Sequence, residues 1–151
     1  MPRARRLLCI YYAVIAAVAF VGTWGHNVAY LVPGEGPVRG FVNATARFWP
    51  ETLATPASTS ITVDIGLLTL AISVWMLLEA RRLRVAAPWL YVIGGLLVAI
   101  SVTAPLFLIA RERRLAARGE SAPALGLGHL DVLGLFVLGA ALMGFSLWTL
   151  A

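Results

Sequence analysis

Lysine is absent from this chain of 151 residues, so all 12 basic residues are arginine. Cysteine occurs once, at Cys9, which excludes an internal disulfide and any cysteine-based metal cluster. Charge of either sign is scarce. Charged residues make up 13%, against a globular norm of about 25%. No HExxH pair, no glycine-rich phosphate loop and no serine nucleophile elbow is present. These absences exclude the common hydrolase and nucleotide-binding signatures, and the chain reads as non-enzymatic.

What is abundant is apolar surface, at 60% of residues. A water-soluble fold of this length cannot hide that much. Four runs approach the roughly 20 apolar residues that a membrane-crossing helix needs. They are 7–25, 61–78, 88–110 and 130–150. Backbone polar groups in lipid must be satisfied within the segment, and none of the runs alternates like a barrel strand, so each predicts a helix. The expected architecture is an all-α membrane protein, a single domain over 1–151, with four transmembrane helices in a compact bundle. The first run follows Arg3, Arg5 and Arg6. It is long for a cleaved signal peptide and lacks a clear small-x-small site, so it reads as an anchor.

Between the first and second runs, Pro33, Gly34, Gly36 and Pro37 break the chain. Val38, Phe41, Val42, Thr45, Phe48 and Trp49 then recur at helical spacing, with Arg39, Asn43 and Arg47 on the other side. This predicts a short interfacial amphipathic helix over 38–49, ended by Trp49-Pro50.

Four crossings would return both termini to one side. The arginines then divide six against six: Arg3, Arg5, Arg6, Arg81, Arg82 and Arg84 face Arg39, Arg47, Arg111, Arg113, Arg114 and Arg118. The basic flank of the first helix decides for cytoplasmic termini in a bacterial inner (plasma) membrane. A pI near 10.4 does not point to nucleic acid, because the arginines cluster at the ends of apolar runs, where lipid headgroups hold them. The similar stretches around Glu79-Ala-Arg81-Arg82 and Arg111-Glu112-Arg113 read as helix-end ion pairs on opposite faces. Small-residue pairs at Ala13/Ala17, Ala19/Thr23, Gly95/Ala99 and Ala140/Gly144 suit close helix packing. Pro105 predicts a kink in the third run.

Ionisable groups within or beside the apolar runs are the functional candidates. In the four-span topology His26, Asp64, His129 and Asp131 converge at one membrane boundary. Asp64 also suits the positive end of its own helix. The two histidines could be interfacial residues, could relay protons, or could hold a haem or divalent metal; no cofactor is otherwise called for. Three functions stay open. The leading one is an accessory or scaffold subunit packed on another membrane protein or on itself in the lipid bilayer. The second is a subunit of an oligomeric transporter or channel using Asp64, with Pro105 as its joint. The third is a haem or metal protein using His26 and His129.

Short motifs then carry a resemblance. Ala54-Thr-Pro56-Ala-Ser58, Val63-Asp64, Glu79-Ala-Arg81-Arg82-Leu83, Trp89, Tyr91, Ser101 and Pro105-Leu-Phe-Leu108 with Arg111-Glu112 occur in order. Over about 47–112 the chain resembles small bacterial membrane proteins grouped as domain of unknown function 2834. The resemblance implies a helical membrane protein with no assigned activity. It marks Asp64, Glu79, Pro105 and Arg111 without giving them roles, and the fourth run looks like an addition beyond the family's usual end.

Overall fold

The computed structural model describes residues 3–119 and 128–150. Among the described residues six α-helices form: α1 (Arg3–Asn27), α2 (Pro37–Thr52), α3 (Pro56–Leu83), α4 (Pro88–Gly94), α5 (Ile100–Ala117) and α6 (His129–Trp148). A short 3-10 turn, Val28–Tyr30, follows α1, and a π turn, Gly95–Ala99, follows α4. No strand occurs among the described residues. Four helical segments are long and apolar enough to cross a membrane: Arg3–Tyr30, Pro56–Leu83, Pro88–Ala117 and His129–Trp148. The fold class expected from the sequence is therefore the one observed.

Local chemistry sets the helix ends. Thr55 and Ser58 form a reciprocal capping box, with Pro56 in the first turn of α3. The connection to α4 spans four residues, and it closes tightly because Arg84 (φ 55°) and Ala87 (φ 48°) both adopt the left-handed conformation. In α2 the helix runs through Pro50 and stops at Thr52, a turn beyond the end expected at Trp49-Pro50. Val38, Val42 and Trp49 on its apolar face are exposed. Asn43 and Arg47 bind Glu35 in the loop before it.

The third apolar run does not follow the straight path expected of it. Ala99 is extended (φ −178°, ψ 141°), and the chain doubles back there. The rings of Tyr91 and Phe107 stand 5.5 Å apart, whereas sixteen residues of continuous helix would separate them by about 24 Å. Gly94 and Gly95 allow the two arms to close. A Cβ on Gly94 would lie 3.1 Å from Thr103 Cγ2, and one on Gly95 would lie 3.0 Å from Ile100 Cδ1. The expected kink at Pro105 is corrected accordingly: the reversal falls six residues earlier, and Pro105 is buried inside α5.

The hairpin sets the relations of all the other rods. α5 runs parallel to α3, with Trp75 beside Phe107 and Glu79 beside Arg111. It runs antiparallel to α1, with Arg5 against Glu112. Met76, Ala80 and Leu83 of α3 pack with Val92, Phe107 and Leu115 of the hairpin to form the core. α6 lies along α1 in the same direction. Tyr11 donates to the Leu135 carbonyl at one level, and His26 meets Thr149 at another. Close approach there uses Gly22, Gly25 and Gly139, not the expected Ala140/Gly144 pair, since nothing lies within 4 Å of a Cβ at Gly144.

Two expectations change as a result. The start of α1 and the end of α6 lie at opposite ends of the bundle, so the termini do not share a side. The basic groups also cease to be balanced. Arg3, Arg5, Arg6, Arg81, Arg82, Arg84, Arg111, Arg113, Arg114 and Arg118 all belong to one end, and only Arg39 and Arg47, on α2, belong to the other. Reporter domains fused after Arg84 and after Arg118 are expected to report the same side of the membrane, and one inserted at Gly34 the opposite side. Opposite reports from the first two would contradict the hairpin.

Candidate functional site

The arginine-rich end holds a continuous chain of ion pairs. Arg5 Nε meets Glu112 Oε2 at 3.0 Å, Glu112 Oε1 accepts from Arg111 Nη1 at 2.7 Å, and Arg111 Nε donates to Glu79 Oε1 at 2.7 Å. Arg82 completes it with a two-pronged contact to Glu79 at 2.6 and 2.7 Å. Arg118 donates to the Arg82 carbonyl at 3.1 Å. Arg5 is 2% exposed and Glu112 4%. Charges so buried survive only with partners. The chain therefore fixes the start of α1 and the ends of α3 and α5 at one level. Glu79 pairs with Arg82 as the sequence predicts, while Arg81 stays exposed. Glu112 pairs with its neighbour Arg111, but its other partner is Arg5, 107 positions away. The two arginine-rich helix ends, expected on opposite faces, are in direct contact.

The other end is a polar cleft of about 560 Å³ lined by His26, Ala29, Tyr30, Val32, Arg47 and Glu51. Tyr30 donates its hydroxyl hydrogen to Glu51. Arg47 donates to the Tyr30 carbonyl at 3.1 Å and to Glu35 at 2.7 Å. The Arg47 guanidinium, helped by the Asn43 amide, holds the Glu35 carboxyl below its ordinary value. Each charged group lining this cleft is engaged within the chain, which makes it a clamp on α2.

The expected convergence of His26, Asp64, His129 and Asp131 does not occur. His26 lies in the cleft end, bonded to Thr149 at 3.2 Å. His129 and Asp131 open α6 at the arginine-rich end, where Asp131 accepts from the Gly128 amide at 2.8 Å. The twenty residues of α6 place the two histidines about 30 Å apart, so they cannot share a haem or a metal. Among the described residues no three of His, Cys, Asp and Glu gather as a metal site. Asp64 is exposed on α3 and has no hydrogen-bond or ion-pair partner among the described residues.

Residues that sequence reasoning passed over now stand out. Arg5 read as one of three anchoring arginines. Tyr30, Glu35 and Glu51 carried no motif. Thr69, Ser73 and Thr103 are each only 8% exposed at the level where the hairpin turns. The Gly94-Gly95 pair in mid-run was the one local signal of close backbone approach.

The architecture is that of a small helical membrane protein built on a half-depth hairpin. The chain belongs to the family described as protein of unknown function DUF2834, whose profile matches residues 11–113. The match takes in most of α1 as well as the hairpin, and α6 falls outside it. No curated protein and no solved structure shows significant similarity.

If the ion-pair chain locks the hairpin, Glu112→Ala should destabilise the protein by about 3–5 kcal/mol, because it leaves Arg5 buried without its carboxylate. The double variant Arg5→Leu/Glu112→Leu should recover most of that loss. Thermal unfolding in detergent measures both. A single-variant loss under about 1 kcal/mol, as for a surface pair, would count against the lock.

Proposed function

We propose that this protein is a non-catalytic subunit of a membrane assembly, inserted with its arginine-rich end in the cytoplasm of a bacterial plasma membrane. The observation that carries the reading is Asp64. At 100° per residue it falls on the face of α3 opposite the stripe packed on the hairpin. It lies fifteen residues, or about 22 Å, from the Glu79 level, within a hydrocarbon layer about 30 Å thick. A carboxylate facing lipid at depth costs up to about 2.5–3.5 kcal/mol. A neighbouring membrane helix that supplies a basic or hydroxyl donor removes that cost. Two features support the same reading. Val63 to Leu68 of α3 are exposed on every side, and α6 buries no residue against the rest of the chain. Both present bare helix to a neighbour.

Orientation follows from the charge asymmetry. Ten arginines at one end against two at the other is a strong positive-inside signal. It supports a cytoplasmic start of α1, with the end of α6 on the far side. The alternative of a transport subunit titrating at Asp64 has less support, since Asp64 points away from the hairpin and Pro105 lies within an unbroken α5.

Extraction from native membranes in mild detergent, with identification of what copurifies, tests the assembly. Asp64→Leu should reduce recovery of the partner roughly tenfold, the size expected for one interhelical polar contact. Asp64→Asn, which still accepts a hydrogen bond, should lose less. Migration of the unaltered protein as a lone monomer would refute the assignment.

A further inference from the structure

The cleft at the α2 end has polar capacity left over, and that capacity is of one kind. Glu51 accepts from the Tyr30 hydroxyl through Oε2. Its Oε1 has no hydrogen-bond or ion-pair partner among the described residues. Arg47 stands one turn earlier on the same face of α2, yet Glu35 and the Tyr30 carbonyl hold it. Glu51 is therefore a carboxylate in the cleft that no cation answers. The Tyr30 hydroxyl has given its hydrogen to Glu51, so its oxygen can only accept further bonds.

His26 adds a third acceptor. Thr149 donates its hydroxyl hydrogen to the Ser146 carbonyl at 2.9 Å. Towards His26 Nε2, 3.2 Å away, that hydroxyl can then act only as acceptor, so Nε2 carries the ring hydrogen. In the neutral ring Nδ1 is left with a bare lone pair. Glu51, Tyr30 and His26 all line the same cleft of about 560 Å³, with Ala29 and Val32 as its apolar lining. Acceptors beside an unanswered carboxylate disfavour an anion and select a cation that donates hydrogen bonds. A primary ammonium has three N–H donors and matches the set. A quaternary ammonium has no N–H to give.

We infer that this cleft binds a primary ammonium group at the membrane boundary, with Glu51 as the counter-charge and Tyr30 and His26 as the other acceptors. Position agrees with the chemistry. Val38, Val42 and Trp49 are exposed on the apolar face of α2, as in a helix lying in the interface, and the cleft sits beside that helix. Ammonium groups reach this level from two sources, the headgroup of phosphatidylethanolamine and small amines in the water. The recognised group is the same in both. Its binding leaves the Arg47–Glu35 pair in place, since neither residue serves as a ligand.

Saturation-transfer NMR of the full chain in phosphatidylcholine nanodiscs tests this, with ethanolamine, choline and acetate as probes. Choline carries the same charge as ethanolamine but no N–H. Ethanolamine should bind at least about tenfold more tightly than choline, the size expected for one or more charge-assisted hydrogen bonds, and acetate should not bind. Glu51→Gln keeps an oxygen for the Tyr30 hydroxyl and removes the charge, and it should weaken ethanolamine binding at least about tenfold. Asp131→Asn, at the arginine-rich end, should leave binding unchanged. The comparison of ethanolamine with choline needs no variant, so a folding defect cannot mask the result. Nanodiscs that contain phosphatidylethanolamine separate the two sources. Loss of the ethanolamine signal there identifies the lipid headgroup as the occupant, and an unchanged signal identifies a soluble amine; both uphold the site. Failure of ethanolamine to bind in phosphatidylcholine, equal binding of choline, binding of acetate instead, or unaltered binding to Glu51→Gln would overturn it.

Discussion

The pairing of Arg5 with Glu112, extended through Arg111 to Glu79, is the contact on which the rest of the structure depends. Charges of this kind cannot sit in hydrocarbon without partners. If the third apolar run crossed the membrane in a straight line, Glu112 would emerge on the side away from Arg5. The same run bent at Ala99 brings Glu112 back to within 3.0 Å of Arg5. It also brings Arg111 to within 2.7 Å of Glu79. Buried ion pairs contribute little net stability on average. Their effect here is on specificity, because only the returning path satisfies both carboxylates at once.

A half-depth hairpin divides the bundle into unlike halves. Near the arginine-rich end, α1, α3, α4 and α5 pack around Phe107 and Met76, both fully buried. Toward the other end α5 is missing, α3 stands bare, and α2 with the Tyr30–Glu51 and Arg47–Glu35 contacts forms the outer boundary. One face of α3 packs against the hairpin, and Asp64 stands on the opposite face.

Much of the fold was legible from residues alone. Four apolar runs gave four helical segments, and the spacing of Val38, Phe41, Val42, Thr45 and Phe48 gave α2. The path of the third run was not legible. Its apolar residues keep one helical period on both sides of Ala99, and Ala99 itself carries no turn signal. Pro105 drew attention as the breaker, yet proline is accommodated near the start of a helix, where fewer carbonyls lose a donor. The even six-to-six division of arginines was the overlooked sign. Such a tie contradicts the usual asymmetry of membrane proteins, and moving Arg111, Arg113, Arg114 and Arg118 to the other end resolves it. Misplacing that one turn also misplaced His129 and Asp131, and with them the supposed four-residue site. The helix-end pairing of Glu79 was legible because it is local. The pairing of Arg5 with Glu112 was not, because no sequence pattern links residues so far apart.

The distance across the hairpin is the most direct test. With Cys9 replaced by serine, spin labels on Leu90→Cys and Arg113→Cys, both exposed positions, report it by pulsed electron resonance in lipid. The folded-back arrangement predicts a separation under about 20 Å, whereas a continuous helix of twenty-three steps predicts about 35 Å. The longer distance would contradict both the hairpin and the one-sided clustering of arginines.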